Sequence, residues 1–149
     1  MTKTDFSEMF ATINSTVPYI RALGALFDGA DEEGVTMRLP FRDDLVGDRD
    51  TRILASGVVT ALLDHCCGMA VWHAMNAYQP IATLDLRIDY MRPAAPASDL
   101  IVTANCFKIT RSVAFVRAFA FDTTSEDPVA AAQSAFMISS PTTRVSARP

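Results

Sequence analysis

The run from Ile53 to Met75, ILASGVVTALLDHCCGMAVWHAM, constrains the fold more than any other part of this 149-residue chain. It holds no proline and is apolar at almost every position. A helix with one apolar stripe lies on a surface; a helix apolar all round must be covered on every side. The run therefore predicts a central helix of about 20 residues wrapped by other elements. Asp64, His65 and His73 interrupt it, which does not suit an isolated membrane span. An unpaired carboxylate is costly to bury in such surroundings. Ionisable groups kept among apolar neighbours cluster at functional sites. Asp64, flanked by Leu62, Leu63, Cys66 and Cys67, is the first candidate for chemistry, because desolvation makes a carboxylate a stronger general base.

The rest of the chain supplies the cover. Phe6, Met9, Phe10, Ile13 and Val17 recur at helical spacing, and Asp5 with Glu8 resembles a capping box. Residues 5–17 are read as a short amphipathic helix within an N-terminal segment 1–17, ended by Pro18. PYIRALGALFDG reads as a strand. After a turn at Gly34, Val35, Met37, Leu39 and Phe41 alternate with Thr36, Arg38 and Pro40, the period of a strand. RDDLVGDRDTR reads as a charged loop. Past the central helix, Ala82, Leu84, Leu86, Ile88 and Tyr90 alternate with Thr83, Asp85, Arg87 and Asp89, and Pro93 ends the strand. DLIVTANCFKI, SVAFVRAFAFD and the Ala-rich DPVAAAQSAFMIS follow as three more strands, and PTTRVSARP (141–149) reads as a frayed tail. Consecutive strands with short links favour an antiparallel sheet. The expected architecture is α+β in one domain, 1–149, with a curved antiparallel sheet of five to six strands around one long helix.

Several function classes are excluded at this level. A net charge of −4 gives no basic surface for nucleic acid. MTKTDFSEMF has no apolar core of a secretory signal. Three cysteines, two of them vicinal, do not make a disulfide framework, so a reducing cytoplasm is expected. No phosphate-binding loop, dinucleotide fingerprint or nucleophile elbow is present. His65, Cys66 and His73 offer no i, i+4 ligand pair on one face, so neither a metal nor a cofactor is expected. His65 points about 100° away from Asp64 around the helix, which also disfavours a hydratase site needing both in one cleft. Cys66 and Cys67 read as inert packing residues. Ser56 and Gly57 precede the apolar core of the helix, where Ser56 can cap with its side chain while backbone N–H groups polarise a carbonyl. From pattern alone Thr83 lies on the polar face of its strand.

Three pieces carry a resemblance: SGVVTALLDHCCGMA, ATLDLRIDYMRPA and KITRSVAFVRAFAFD. Together they resemble the hotdog-fold acyl-CoA thioesterases, in the phenylacetate-pathway (PaaI-type) branch of the 4-hydroxybenzoyl-CoA thioesterase superfamily, over roughly residues 18–140. The resemblance implies hydrolysis of an acyl-CoA thioester, with Asp64 as general base or nucleophile and Thr83 positioning water. It implies an oxyanion donor at the Ser56 backbone N–H, with Gly57 beside it. It offers Arg92, Arg111 and Ser112 as contacts for the nucleotide of CoA, and sets Arg49 near the place of a substrate-orienting Asn or Gln. It implies dimers, often tetramers, whose sites are built from two subunits. This chain has Ala55-Ser56-Gly57 where the family usually has His-Gly-Gly. That departure motivates the alternative of a hotdog protein that binds acyl-CoA or another apolar ligand without turning it over.

Overall fold

The computed structural model describes residues 3–139. The tail reading for 141–149 lies outside them. The chain opens with α1 (Lys3–Thr16), which starts ahead of Asp5 and so leaves that residue inside the helix and not at its cap. Residues 18–23, expected as strand, form a second short helix, α2 (Pro18–Leu23). Pro18 does not only end α1. With φ fixed and no N–H to leave unsatisfied, it suits the first turn of a new helix. Gly24 closes α2 at φ 77, its N–H reaching the carbonyls of Ile20 and Arg21.

The strand begins only at β1 (Leu26–Asp31), which turns into β2 (Gly34–Leu39). Gly34 has φ 136, and a Cβ there would collide with the Ala104 carbonyl, so this turn position requires glycine. The charged stretch expected as loop folds into a 3-10 turn (Asp43–Leu45) and a small hairpin of β3 (Val46–Asp48) and β4 (Ile53–Leu54). It is held by an Arg52–Asp43 ion pair of 2.8 Å, a 2.9 Å bond from Ala55 N–H to the Leu45 carbonyl, and the close approach of Gly47 to Ala55.

The central helix α3 runs Ser56–Met75, as its apolar run predicts. It starts three residues into that run because Ile53 and Leu54 are in β4. Four further strands follow: β5 (Ile81–Tyr90), β6 (Leu100–Ile109), β7 (Val113–Phe121) and β8 (Ala130–Ile138). With β1 and β2 they form one antiparallel sheet in the order β1-β2-β6-β7-β8-β5. The face under α3 is built from small residues, among them Ala114, Ala118, Ala120, Ala130 and Ala132, all buried. They let the helix sit close, so that Leu62, Leu63, Cys66 and Met69 lose all solvent contact. By length and mean hydropathy α3 would also pass for a membrane span; most of it is buried in this core.

β5 departs from its sequence pattern in one respect that matters below. Its register with β8 pairs Thr83 with Phe136 and then Asp85 with Ala135, so Leu84 is an extra, bulged residue. A bulge swaps the face on which later residues point. Ile81 and Thr83 therefore share the helix-facing side with Leu86, Ile88 and Tyr90, whose partners Ser134, Ala132 and Ala130 are buried.

Candidate active site

Asp64 is in the third turn of α3 and faces β5. Among the described residues its one side-chain hydrogen bond comes from Thr83, whose Oγ1 donates to Oδ1 at 2.9 Å. Among the described residues no cation pairs with this carboxylate. Oδ2 is therefore left open to accept a proton or to attack. The strict alternation in the sequence set Thr83 on the outer face, away from its own chain's Asp64. The Leu84 bulge corrects that placement and makes the Asp64–Thr83 pair intrasubunit.

The start of α3 is the second element. The N-cap is Ala55, with no side-chain cap bond, so Ser56 is the first helical residue and does not act as the cap. Ser56 and Gly57 are both exposed, and their N–H groups belong to the first turn, which has no intrahelical partners. A Cβ at Gly57 would meet nothing within 4 Å. The fold of this chain thus gives no steric reason for a glycine that costs about 1 kcal/mol relative to alanine in a helix. Eight residues of helix separate Ser56 from Asp64, about 12 Å along the axis. Those N–H groups and that carboxylate are too far apart to act on one carbonyl within one chain.

The basic candidates separate into two kinds. Arg92 is held by two carboxylates. Its guanidinium grips Asp122 at 2.6 and 2.9 Å, bonds the carbonyls of Asp127 and Pro93, and pairs with the Asp127 carboxylate at 3.0 Å. Asp122 is buried and also accepts from Ala95 N–H. Its hydrogen bonds from Arg92 hold its carboxyl well below the usual carboxylate range, against the opposing effect of burial. The geometry makes Arg92 a clamp between chain segments. Arg111 and Ser112 lie exposed in the β6–β7 turn, at the sheet end where β5 begins; Ser112 accepts from Ile138 N–H, and Ser139 N–H reaches Pro80. They share an end with Thr83, and Arg92 lies at the other. Arg49 is exposed in the β3–β4 turn.

Two cysteines and two histidines are the other titratable groups of α3. Burial pushes the Cys67 thiol up to about 12 and the Cys66 thiol well up, so both stay protonated at neutral pH. Burial lowers the His65 pKa, opposed by the Asp64 charge, and its buried Nε2 has no hydrogen-bond partner. His73 Nε2 lies 2.8 Å from the Asp31 carbonyl, a tie to β1.

The family model of the thioesterase superfamily matches residues 53–129, which span β4, α3, the candidate site and three of the six strands of the sheet. This chain belongs to the thioesterase superfamily. A crystal structure of a Pseudomonas aeruginosa protein is 34% identical, covers 90% of this chain and 99% of its own, and superposes with a TM-score of 0.82. A Halobacterium salinarum protein, whose name describes it as an inferred esterase, is 29% identical over 122 residues, 76% of this chain and 78% of its own. Mouse thioesterase superfamily member 2 shares the hotdog fold, with a TM-score of 0.74 at 19% identity over 93% of this chain and 100% of its own. Against that background the thioesterase-family segment Tyr90-Met91-Arg92-Pro93 acquires roles that its residues do not announce. Tyr90 bonds α3 and Arg92 bonds Asp122, partners 34 and 30 positions away in the chain. The only cue in the sequence was their occurrence together.

Proposed function

We propose that this chain is an acyl-CoA thioesterase of the PaaI-type branch, cleaving an aryl- or fatty-acyl-CoA to the free acid and CoA. The observation that carries the reading is the Asp64–Thr83 pair. The carboxylate is oriented by a hydroxyl, uncompensated by any cation among the described residues and set on a largely apolar helix. Asp64 Oδ2 takes a proton from water as the water oxygen attacks the thioester carbonyl carbon, or attacks that carbon itself to give a mixed anhydride. The carbonyl oxygen gains negative charge and is stabilised by N–H groups at the start of α3. Collapse then expels the CoA thiolate, which takes up a proton, from Asp64 on the general-base route and from solvent on the other; on the anhydride route a water then attacks the anhydride, releasing the free acid and restoring the Asp64 carboxylate.

The 12 Å between the two halves of the site argues for assembly as a homodimer. β5 is a ten-residue edge strand, exposed along most of its length, with Leu84 56% exposed. A free edge of that kind is a template for pairing. Antiparallel pairing of two copies centred near the middle of β5 would set the Thr83 end of one beside the Tyr90 end of the other. The base of one subunit would then work with the oxyanion donors of its partner, and the open space at Gly57 would be taken up by substrate. Arg111, Ser112 and Arg49, all exposed, are the contacts offered to CoA, and further pairing to a dimer of dimers follows the family. Two buried thiols and a half-buried one, Cys106, fit a reducing cytoplasm.

Thiol release from a panel of aryl- and fatty-acyl-CoAs, wild type against Asp64→Asn, tests the reading. Wild type should turn over at least one class, and the variant should fall by about 10²- to 10⁴-fold. Binding of acyl-CoA with no release above the variant's background would instead establish a non-hydrolytic ligand-binding protein.

A further inference from the structure

The sheet has a second face, turned away from α3, and its role lies outside the chemistry of Asp64 and Thr83. Phe107, Phe115, Phe119 and Met137 stand on it, each between 37 and 49% exposed. On β7 they alternate with buried Ala114, Val116, Ala118 and Ala120, so the strand is apolar on both faces. The register gathers them. Phe115 lies beside Ala135, Phe119 beside Ala131 and Val113 beside Met137. Phe107 is an extra residue in β6, bulged next to Phe115. A bulge re-aims a side chain, and here the Phe107 ring turns to the Arg117 guanidinium, 4.5 Å from its centroid. Single exposed apolar residues are ordinary, whereas a contiguous patch of them marks an interaction surface.

We propose that this outer face is covered by a second dimer of the same chain, the two continuous sheets packing back to back with Asp85 of one copy against Arg87 of another. This rests on the β5 pairing of the reading above. Three arguments select a second copy as the occupant. The first is continuity: two chains joined along β5 share one outer face across both. The second is area. Strands β5–β8 offer a face about 30 Å long and about 19 Å wide, roughly 550 Å² per chain and twice that per dimer. A stable interface needs about 800 Å² from each partner. The third is charge. Closed symmetry places the new two-fold axis in the plane of the sheet, across the strands and through the centre of the β5 pair. Such an axis exchanges the levels above and below that centre. With Leu84 set aside as the bulge, Leu86 is the central residue of Ile81–Tyr90. The outward residues on either side of it are Asp85 and Arg87, which therefore meet across the interface as opposite charges. Among the described residues Asp85 has no ion pair, and Arg87 has only its exposed 3.1 Å contact with Asp89. Packed sheets cross at about 30°, which leaves the register intact near the axis and loosens it farther out. The β5 charges thus fix the alignment, and the rings of β6 and β7 supply the apolar contact.

Sedimentation equilibrium of the full-length protein at micromolar concentration tests the proposal. Wild type should weigh four chains. Phe119→Glu, on the exposed side of β7, and Asp85→Arg, which sets like charges together across the axis, should each weigh two. Thiol release per chain should stay within about twofold of wild type in both, because Asp64 lies under the opposite face of the sheet. The double variant Asp85→Arg with Arg87→Asp exchanges the charges and should return to four chains. If Phe119→Glu fails to fold, Asp85→Arg and its rescue decide the question. A wild type of two chains that Phe119→Glu leaves unchanged overturns the proposal, as does a tetramer indifferent to both substitutions. A wild type of two chains that Phe119→Glu splits into monomers keeps the outer face as an interface between copies and removes the β5 pairing instead. Flotation of wild type with phosphatidylcholine vesicles, lost in Phe119→Glu, would give the face to a membrane and overturn the second copy as its occupant.

Discussion

Two aspartates of this chain are treated in opposite ways. Asp122 has 1% side-chain exposure, a two-pronged guanidinium and a backbone N–H. Asp64 has one threonine hydroxyl. A buried carboxylate with all of its lone pairs served is a structural device, because its charge is spent on neighbours that do not move. A carboxylate with one oxygen served and one open retains the capacity to take a proton or to attack. The difference separates a group that holds the fold from a group available for chemistry, and mere presence in an apolar run does not.

Exchanging each acid for its amide breaks the comparison most sharply. Asp64→Asn should remove hydrolysis by about 10²- to 10⁴-fold and leave Tm within a few degrees of wild type. Asp122→Asn should do the reverse, lowering Tm by about 5–10 °C as Arg92 loses its partner, with kcat much less affected. The two must also differ in acid. Arg92 depresses the folded-state pKa of Asp122. Its stabilisation is therefore complete above the unfolded-state value near 4 and is lost as pH falls toward the depressed folded value. Thermal melts of wild type should steepen their decline below about pH 4, and Asp122→Asn should lack that component. Equal acid sensitivity in both proteins would show that Asp122 contributes nothing special to folding.

The same contrast explains what could be read in advance. Asp64 stood out as a candidate because a charge in an apolar run is anomalous in the sequence itself. α3 was legible from its length, its missing proline and its all-round hydrophobicity, and β8 from the meander in which its alanines stand. α2 was not, since Pro18 marks both an end and a start and only the chain geometry at Gly24 decides between them. The 43–54 hairpin was hidden because its contacts are side-chain ion pairs and a glycine-to-alanine approach. Thr83 was misplaced for one reason: a bulge adds a residue without any sign in the alternation, and every face assignment before it inverts. The pairing of Arg92 with Asp122 was not legible, because a sequence shows the charge and not the carboxylate 30 positions away that holds it.

Thr83 sharpens the comparison from the side of the partner. Thr83→Ala leaves Asp64 with neither oxygen oriented, and should lower kcat by about 10-fold with little change in Tm, since Thr83 is exposed on an edge strand. Hydrolysis by Thr83→Ser should recover most of the rate. A large drop in Tm at unchanged kcat would make the hydroxyl a structural partner after all and move Asp64 toward the Asp122 kind.

The smallest effect is expected of Arg111, and it compares the two arginines as the first prediction compares the two acids. Arg92 is saturated by carboxylates, whereas Arg111 lies exposed in the β6–β7 turn, at the Thr83 end of the sheet. A guanidinium without a protein partner is available to a phosphate, but an exposed pair in water is worth little. Arg111→Ala should therefore raise KM for CoA thioesters by about 2- to 5-fold and leave kcat unchanged. The increase should shrink at high salt, because a solvent-exposed contact is screened. It should be absent for short pantetheine thioesters, which carry the reacting carbonyl without the nucleotide phosphates. An equal rise in KM for both substrate types would assign Arg111 to the acyl side of the groove and leave the nucleotide to Arg49 at the other end.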